Sequence, residues 1–189
     1  IFDLNNRSDQ PMHSVCSRYI IVFNGSIYNY KILRKYLIEK GVKLKTHSDT
    51  EVILELFALE GSTMLSKLEG MFAFVIWDCK KKEAFAARDP FGIKPLYFFE
   101  DGSSLIFSSE IRPIQHLTDA NEIDQYSLAS LLKLRYNASP YSLFKSIKKV
   151  KPGQYILINI DDSIEKRTFN YGINSVSKKR NIKMDDVLM

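Results

Sequence analysis

Hydrophobic residues are spaced along this chain in two alternating periods. Residues 19–23 (Tyr-Ile-Ile-Val-Phe) form an unbroken β-rich run that is too short for a helix. Over 30–40, Ile32, Leu33, Tyr36 and Leu37 recur at helical spacing and stop at Gly41, a C-terminal capping residue. A short strand is predicted at 43–46. Ser48-Asp49-Thr50-Glu51 then carries the Ser-x-x-Glu pattern of a capping box, with Val52, Ile53, Leu56 and Phe57 on one face behind it and Gly61 as the stop. A brief helix over 62–68 follows. Residues 71–77 are apolar at every position, which fits a strand covered on both faces.

Downstream, 83–88 reads as a returning strand, and 94–100 with 104–109 as a hairpin turning at Asp101-Gly102. Asp124 is placed to cap a helix carrying Tyr126, Leu128, Leu131 and Leu132. After Pro152-Gly153 a second hairpin joins 154–160 to 163–169 through Asp161-Asp162. Residues 1–4 resemble the end of a strand, and 171–189 form a polar, basic linker without a second core. Seven or eight strands against two long helices predict an α+β fold, two packed sheets with helices on their outer faces. No Gly-x-Gly-x-x-Gly or phosphate loop is present.

Composition narrows the partners. A chain of 189 residues, 45% hydrophobic, supports one sizeable core with an appendage. The net charge of +5 is spread among acids, and the basic clusters at 80–82, 148–151 and 178–180 are not interleaved with aromatics. They read as solvated turns and a basic tail, so no nucleic acid is expected. No apolar run approaches the roughly 20 residues of a membrane span, and no signal peptide is visible, so no membrane is expected. Cys16 and Cys79 have no zinc-binding spacing and call for no disulfide, which fits a reducing cytoplasm. The first residue is Ile1 rather than Met, so the chain is expected to be processed or incomplete.

Candidate chemistry begins at Asn24-Gly25, where the first strand is expected to end. Asn-Gly is a common turn. The same pair also offers a side-chain amide and a sterically open backbone N–H, two donors able to converge on a developing oxyanion. The dipeptide alone leaves both readings open.

Five segments then fall in the order and spacing of one family: Phe23-Asn24-Gly25-Ser26-Ile27-Tyr28-Asn29, Ser48-Asp49-Thr50-Glu51-Val52-Ile53-Leu54, Gly70-Met71-Phe72-Ala73-Phe74, 87–97 (Ala-Arg-Asp-Pro-Phe-Gly-Ile-Lys-Pro-Leu-Tyr) and Ser108-Ser109-Glu110-Ile111. From Ile1 to about Phe169 the chain resembles the glutaminase domain of glutamine-hydrolysing asparagine synthetases, a class II glutamine amidotransferase. The resemblance implies a four-layer α-β-β-α sandwich of the N-terminal nucleophile type, here without its first strand region. It also implies that a terminal cysteine, activated by its own α-amine, hydrolyses glutamine to glutamate and ammonia. The ammonia passes to a synthetase domain that activates aspartate. Asn24 (side chain) and Gly25 (backbone N–H) match the oxyanion hole, Asp49 the carboxylate that binds the glutamine ammonium, and Ile1 and Phe2 the backbone lining of the glutamine pocket. The block 88–97 matches a structural and interfacial stretch near the face where ammonia leaves, with Arg88 and Asp89 expected as a buried structural pair. The implied partners are L-glutamine, the parent's own synthetase domain and a second copy in a homodimer.

Three departures bear on this. The nucleophilic cysteine and the arginine that clamps the glutamine carboxylate would precede Ile1; neither Cys16 nor Cys79 has a free α-amine. Ser26 stands where the family usually has Glu, a second carboxylate for the ammonium, so either weaker glutamine binding or reliance on Asp49 alone is expected. No Ser-Gly-Gly-x-Asp-Ser motif occurs, so no cofactor is expected in this chain and Mg-ATP belongs to the absent synthetase domain. The expectation is therefore a fragment, inactive by itself, of a larger synthetase. Two alternatives stand: an amidotransferase feeding another acceptor in cell-envelope polysaccharide synthesis, or an amidotransferase-like scaffold that has lost the chemistry.

Overall fold

Three apolar clusters separate four layers of secondary structure. The computed structural model describes residues 9–102, 104–159 and the strand at 165–170. Strands β1 (Met12–His13), β2 (Tyr19–Ile27), β3 (Gly70–Asp78), β4 (Glu83–Arg88), β8 (Gln154–Asn159) and β9 (Glu165–Asn170) make a six-stranded antiparallel sheet in that order. Strands β5 (Tyr97–Glu100), β6 (Leu105–Ser108) and β7 (Ile147–Lys149) make a second sheet, ordered β6-β5-β7. Helices α1 (Tyr30–Glu39) and α2 (Asp49–Glu60) pack on the large sheet, α3 (Ile111–Leu117) packs on the small one, and α4 (Gln125–Leu134) follows. This is the expected α-β-β-α sandwich.

The alternation of strand side chains assigns each cluster to one interlayer space. On β3, Phe72, Phe74 and Ile76 join α1 and α2 residues, including Leu37 and Ile53, whereas Ala73, Val75 and Trp77 face the second sheet. On β4, Phe85 and Ala87 take the helix side, and Ala84 and Ala86 the sheet side. The unbroken apolar run of β3 thus reflects burial on both faces. Phe99, Ile114 and Ile147 close the third space, beneath α3.

Several local expectations change for reasons visible in the hydrogen bonds. Residues 43–46 form no strand, because Glu51 accepts from the N–H groups of Lys45 and Thr46 (both 2.7 Å) and from the Thr46 hydroxyl (2.8 Å). Ser48 still caps α2, its Oγ accepting from Thr50 N at 3.2 Å, but Glu51 is not free to complete the capping box. The segment after Gly61 is a 3-10 helix, Gly61–Lys67. The first hairpin begins at Tyr97 rather than at 94, since the carboxylate of Asp89 takes the N–H groups of Ile93 and Lys94. Asp124 does cap α4, accepting from Ser127 N at 2.7 Å. The strand end expected at 1–4, the turn at 161–162 and the linker at 171–189 lie outside the described residues.

Candidate active site

Strand β2 does not end at Asn24-Gly25. It continues to Ile27, with Asn24 opposite Ala73 and Gly25 opposite Phe72, and the chain turns only at Tyr28 and Asn29. The plain-turn reading is thereby replaced. Glycine is required here by the neighbouring strand: a Cβ on Gly25 would lie 2.2 Å from the Met71 carbonyl oxygen and 2.8 Å from Phe72 Cα. Gly70 answers it, since a Cβ there would meet the Ser26 carbonyl oxygen at 2.2 Å. The two glycines let β2 and β3 approach more closely at the site than side chains would permit.

The direction of each polar group follows from the ladder. Phe23 N donates to Gln10 Oε1 (2.5 Å) and Ile27 N donates to Asp49 Oδ2 (3.0 Å), so the odd-numbered N–H groups of this stretch point away from β3. Gly25 lies between them. Its N–H opens on the same edge, past β1, which pairs only with Ile20 and Ile21. The side chains of Asn24 and Ser26 alternate to the other face, toward the second sheet. There Asn24 Nδ2 donates to Ser109 Oγ at 3.1 Å, just beyond the end of β6. An amide nitrogen carries two hydrogens, so Ser109 orients Asn24 and leaves it a second donor. A cavity of about 300 Å³ opens here, lined by Gln10, Phe23, Asn24, Ala73, Leu96 and Ser109.

Asp49 is brought to this edge by α2, whose first residue it is. Its side chain is buried, and burial pushes its carboxyl pKa up, while the N–H groups of Ile27, Asp49 and Thr50 pull the other way. It forms no ion pair with the described residues. A buried carboxylate whose hydrogen bonds from the described residues all come from neutral N–H groups keeps a strong attraction for a cation. The structure therefore places Asn24, Gly25 and Ser26 in a row on β2, with Asp49 meeting the strand edge next to them at Ile27 N. Ile1 and Phe2 lie outside the described residues. Ser109 carried no individual role in the sequence reading, because its contact with Asn24 spans 85 positions.

Arg88 and Asp89 are buried beside this region, and each is spent on backbone groups. Arg88 donates to the carbonyls of Gly92, Lys94 and Val150, all at 2.7 Å. Asp89 accepts from the N–H groups of Phe72, Phe91, Ile93 and Lys94 at 2.9–3.3 Å. The loop so braced holds Phe91 and Ile93 out to solvent. Among the described residues no group of three or more side chains has the makings of a metal site, and no helix is long and apolar enough to cross a membrane.

Comparison with known proteins supplies an independent observation. The family model of the glutamine amidotransferase domain matches residues 1–170. The chain is 38% identical over 169 residues to asparagine synthetase [glutamine-hydrolyzing] 1 of Bacillus subtilis (strain 168), covering 89% of this chain and 27% of that protein. It is 37% identical over 178 residues to a putative asparagine synthetase [glutamine-hydrolyzing] 2 of Methanocaldococcus jannaschii, covering 85% of this chain and 34% of that protein. The chain thus spans about a quarter to a third of the length of these curated relatives. Among solved structures, the glutamine phosphoribosylpyrophosphate amidotransferase from B. subtilis superposes with a TM-score of 0.59 at 23% identity, over 87% of this chain and 32% of that one. An allosteric regulatory enzyme of purine biosynthesis gives 0.60 at 22%, over 89% and 32%. At these identities the structures speak for the fold.

Proposed function

This chain belongs to the glutamine amidotransferase domain family, and from that premise we propose that it is the glutamine-hydrolysing part of an asparagine synthase. The observation that carries the reading is the edge of β2. There a backbone N–H directed away from β3 (Gly25) and an oriented side-chain amide (Asn24) are adjacent on the strand, and a buried carboxylate without an ion pair among the described residues (Asp49) accepts from the N–H two residues on, at Ile27. The amide and the N–H stabilise the oxyanion that forms when the glutamine amide is attacked. Asp49 receives the ammonium of glutamine, and Ser26 offers a neutral hydrogen bond in place of a second carboxylate. The attacking thiol is supplied by an N-terminal cysteine of the complete gene product. The released ammonia goes to aspartate activated by Mg-ATP, in the part of the protein that corresponds to the length of the relatives not spanned here. The enzyme works in the cytoplasm.

The test uses the complete gene product with amide-labelled [15N]glutamine, aspartate and Mg-ATP. Glutamate release with 15N in the side chain of asparagine is expected. Glutamate release with the label in another product would redirect the acceptor. No glutamate release, with free ammonia supporting synthesis, would overturn the glutaminase reading.

A further inference from the structure

A second cavity, of about 380 Å³, opens on the helix side of the large sheet, at the end away from the candidate active site. Side-chain alternation builds it. Tyr19 on β2 shares the face of Ile21, Asp78 on β3 that of Ile76, and Glu83 on β4 that of Phe85, so all three turn toward α2. Helix α2 closes one side with Phe57 and Ala58 and stops at Gly61, whose φ of 62° turns the chain into the 3-10 helix. A Cβ built on Gly61 would meet nothing within 4 Å among the described residues, so the space beside the helix end is open. At about 3.3 Å per residue along β2, Tyr19 stands about 20 Å from Gly25. The cavity shares no described residue with the cleft at Asn24.

Its walls are aromatic. Tyr19 meets Phe57 edge-on (centroids 5.4 Å apart, planes at 87°), Phe57 meets Phe85 at 4.8 Å, and Phe85 meets Tyr155 at 5.0 Å. Such a row of rings offers further edge and offset contacts to a planar guest. Apolar walls with a few polar groups at one end are the features of a small-molecule site.

The rim carries three charged side chains, and two are open to a guest. The Asp78 carboxylate is fully engaged: Arg18 donates to both its oxygens (2.9 and 2.7 Å), and the N–H groups of Lys80 and Lys81 donate to Oδ1. Glu83 differs. Its side chain is only 22% exposed, yet among the described residues its carboxylate accepts no hydrogen bond and meets only the Lys81 ammonium, at 3.9 Å. A carboxylate so far withdrawn from water is short of donors. The last-turn carbonyls of α2 add negative partial charge, and no basic residue stands in that turn to answer it. An ammonium is what this rim lacks. Lys81, 60% exposed, is left to take an anion once Glu83 has a closer partner.

We propose that this cavity binds a free aromatic α-amino acid, its ring among Tyr19, Phe57, Phe85 and Tyr155, its ammonium on Glu83 and its carboxylate on Lys81. The adjacent charges of such a ligand match the adjacent opposite charges of the rim, whereas an aromatic amine or acid answers only one of them. The site is independent of the glutamine reading. It lies at the ends of β2 and α2 opposite to those that carry Gly25 and Asp49.

Isothermal titration calorimetry of the complete gene product with L-phenylalanine tests it, with a Kd of about 1 mM or below expected. L-Alanine has the charges without the ring, 3-phenylpropionate lacks the ammonium and phenethylamine lacks the carboxylate; each should bind at least about tenfold more weakly. Glu83→Gln should weaken L-phenylalanine at least about tenfold, and Lys81→Met should weaken it several-fold. Ala58→Phe, which fills the cavity from a helical position, should abolish binding with the melting temperature kept; if that variant fails to fold, Glu83→Gln decides. Asp49→Asn should leave the binding unchanged. No binding by the parent at about 10 mM overturns the proposal. So does binding indifferent to Glu83→Gln or to a folded Ala58→Phe, which would place the ligand elsewhere, or phenethylamine binding as tightly as L-phenylalanine. Loss of binding in Asp49→Asn would move the ligand to the cleft at β2 and equally overturn it.

Discussion

Replacing Asp49 by asparagine should separate binding from stability, because the two depend on its charge with opposite sign. The amide is nearly isosteric, and its Oδ1 can still accept from Ile27 N, which Asp49 holds at 3.0 Å. What the substitution removes is a buried negative charge whose ionisation burial already opposes. For a ligand ammonium the loss is that of one partner in a desolvated, hydrogen-bonded pair, about 2–3 kcal/mol, or roughly 30- to 150-fold in affinity. For folding the effect runs the other way. A carboxyl whose folded-state pKa is raised contributes its stability below the unfolded value and loses it as pH climbs through the folded value. Asp49→Asn escapes that loss, so its melting temperature should equal the parent's at acid pH and match or exceed it at neutral pH. Calorimetric titration with L-glutamine, repeated across pH, reads the first effect, and thermal melts read the second. Parent affinity should strengthen as pH rises through the Asp49 pKa, and that dependence should vanish in the variant. Glutamine binding within threefold of the parent would refute the assignment, and so would a variant that loses binding only because it unfolds.

Three further perturbations follow from the same geometry. Gly25→Ala places a Cβ against backbone atoms that cannot move aside, so urea denaturation should show a loss of about 2–4 kcal/mol; an unchanged midpoint would contradict the close β2–β3 approach. Ser109→Ala removes the acceptor that orients Asn24, and in the complete gene product it should lower kcat for glutamine hydrolysis about tenfold with KM little changed, with Ser109→Thr restoring it. An equal loss in the threonine variant would mean that Ser109 acts otherwise. Arg88→Met leaves three carbonyls without their donor and should cost about 3–5 kcal/mol of folding stability, with Arg88→Lys recovering little because an ammonium cannot reproduce the planar fork. Full rescue by lysine would show that the charge alone matters.

The exposed loop at Phe91 and Ile93 owes its form to the same two buried residues. Asp89 gathers N–H groups from its own loop and from β3, while Arg88 ties that loop to Val150, 62 positions along the chain. Neither residue is drawn into the cleft at β2. Their role as a brace agrees with the structural part expected of them, and it shows why both charges tolerate burial: every one of the bonds described ends on a backbone dipole.

Much of the architecture was legible because its signals are local. Burial on both faces of β3 shows in seven consecutive apolar residues, and caps such as Ser48, Gly61 and Asp124 act within a turn of themselves. Features set by distant partners were not. Asn24-Gly25 has the composition of a turn but runs straight as strand, because Phe72 and Gly70 on β3 admit it. Residues 43–46 look like a strand, yet Glu51 takes the N–H groups a strand would need. The apolar positions of α4 announce a helix but not that Tyr126 and Leu132 face outward. The sequence by itself determined the longer helices and strands and which residue types stand at the site, since backbone preference and side-chain period act between near neighbours, but not the short elements β1, α3 and β7. Only the tertiary structure decided which donors point into the cleft, because the direction of Gly25 N–H and the orientation of the Asn24 amide depend on strand register and on Ser109, held by contacts far apart in the chain.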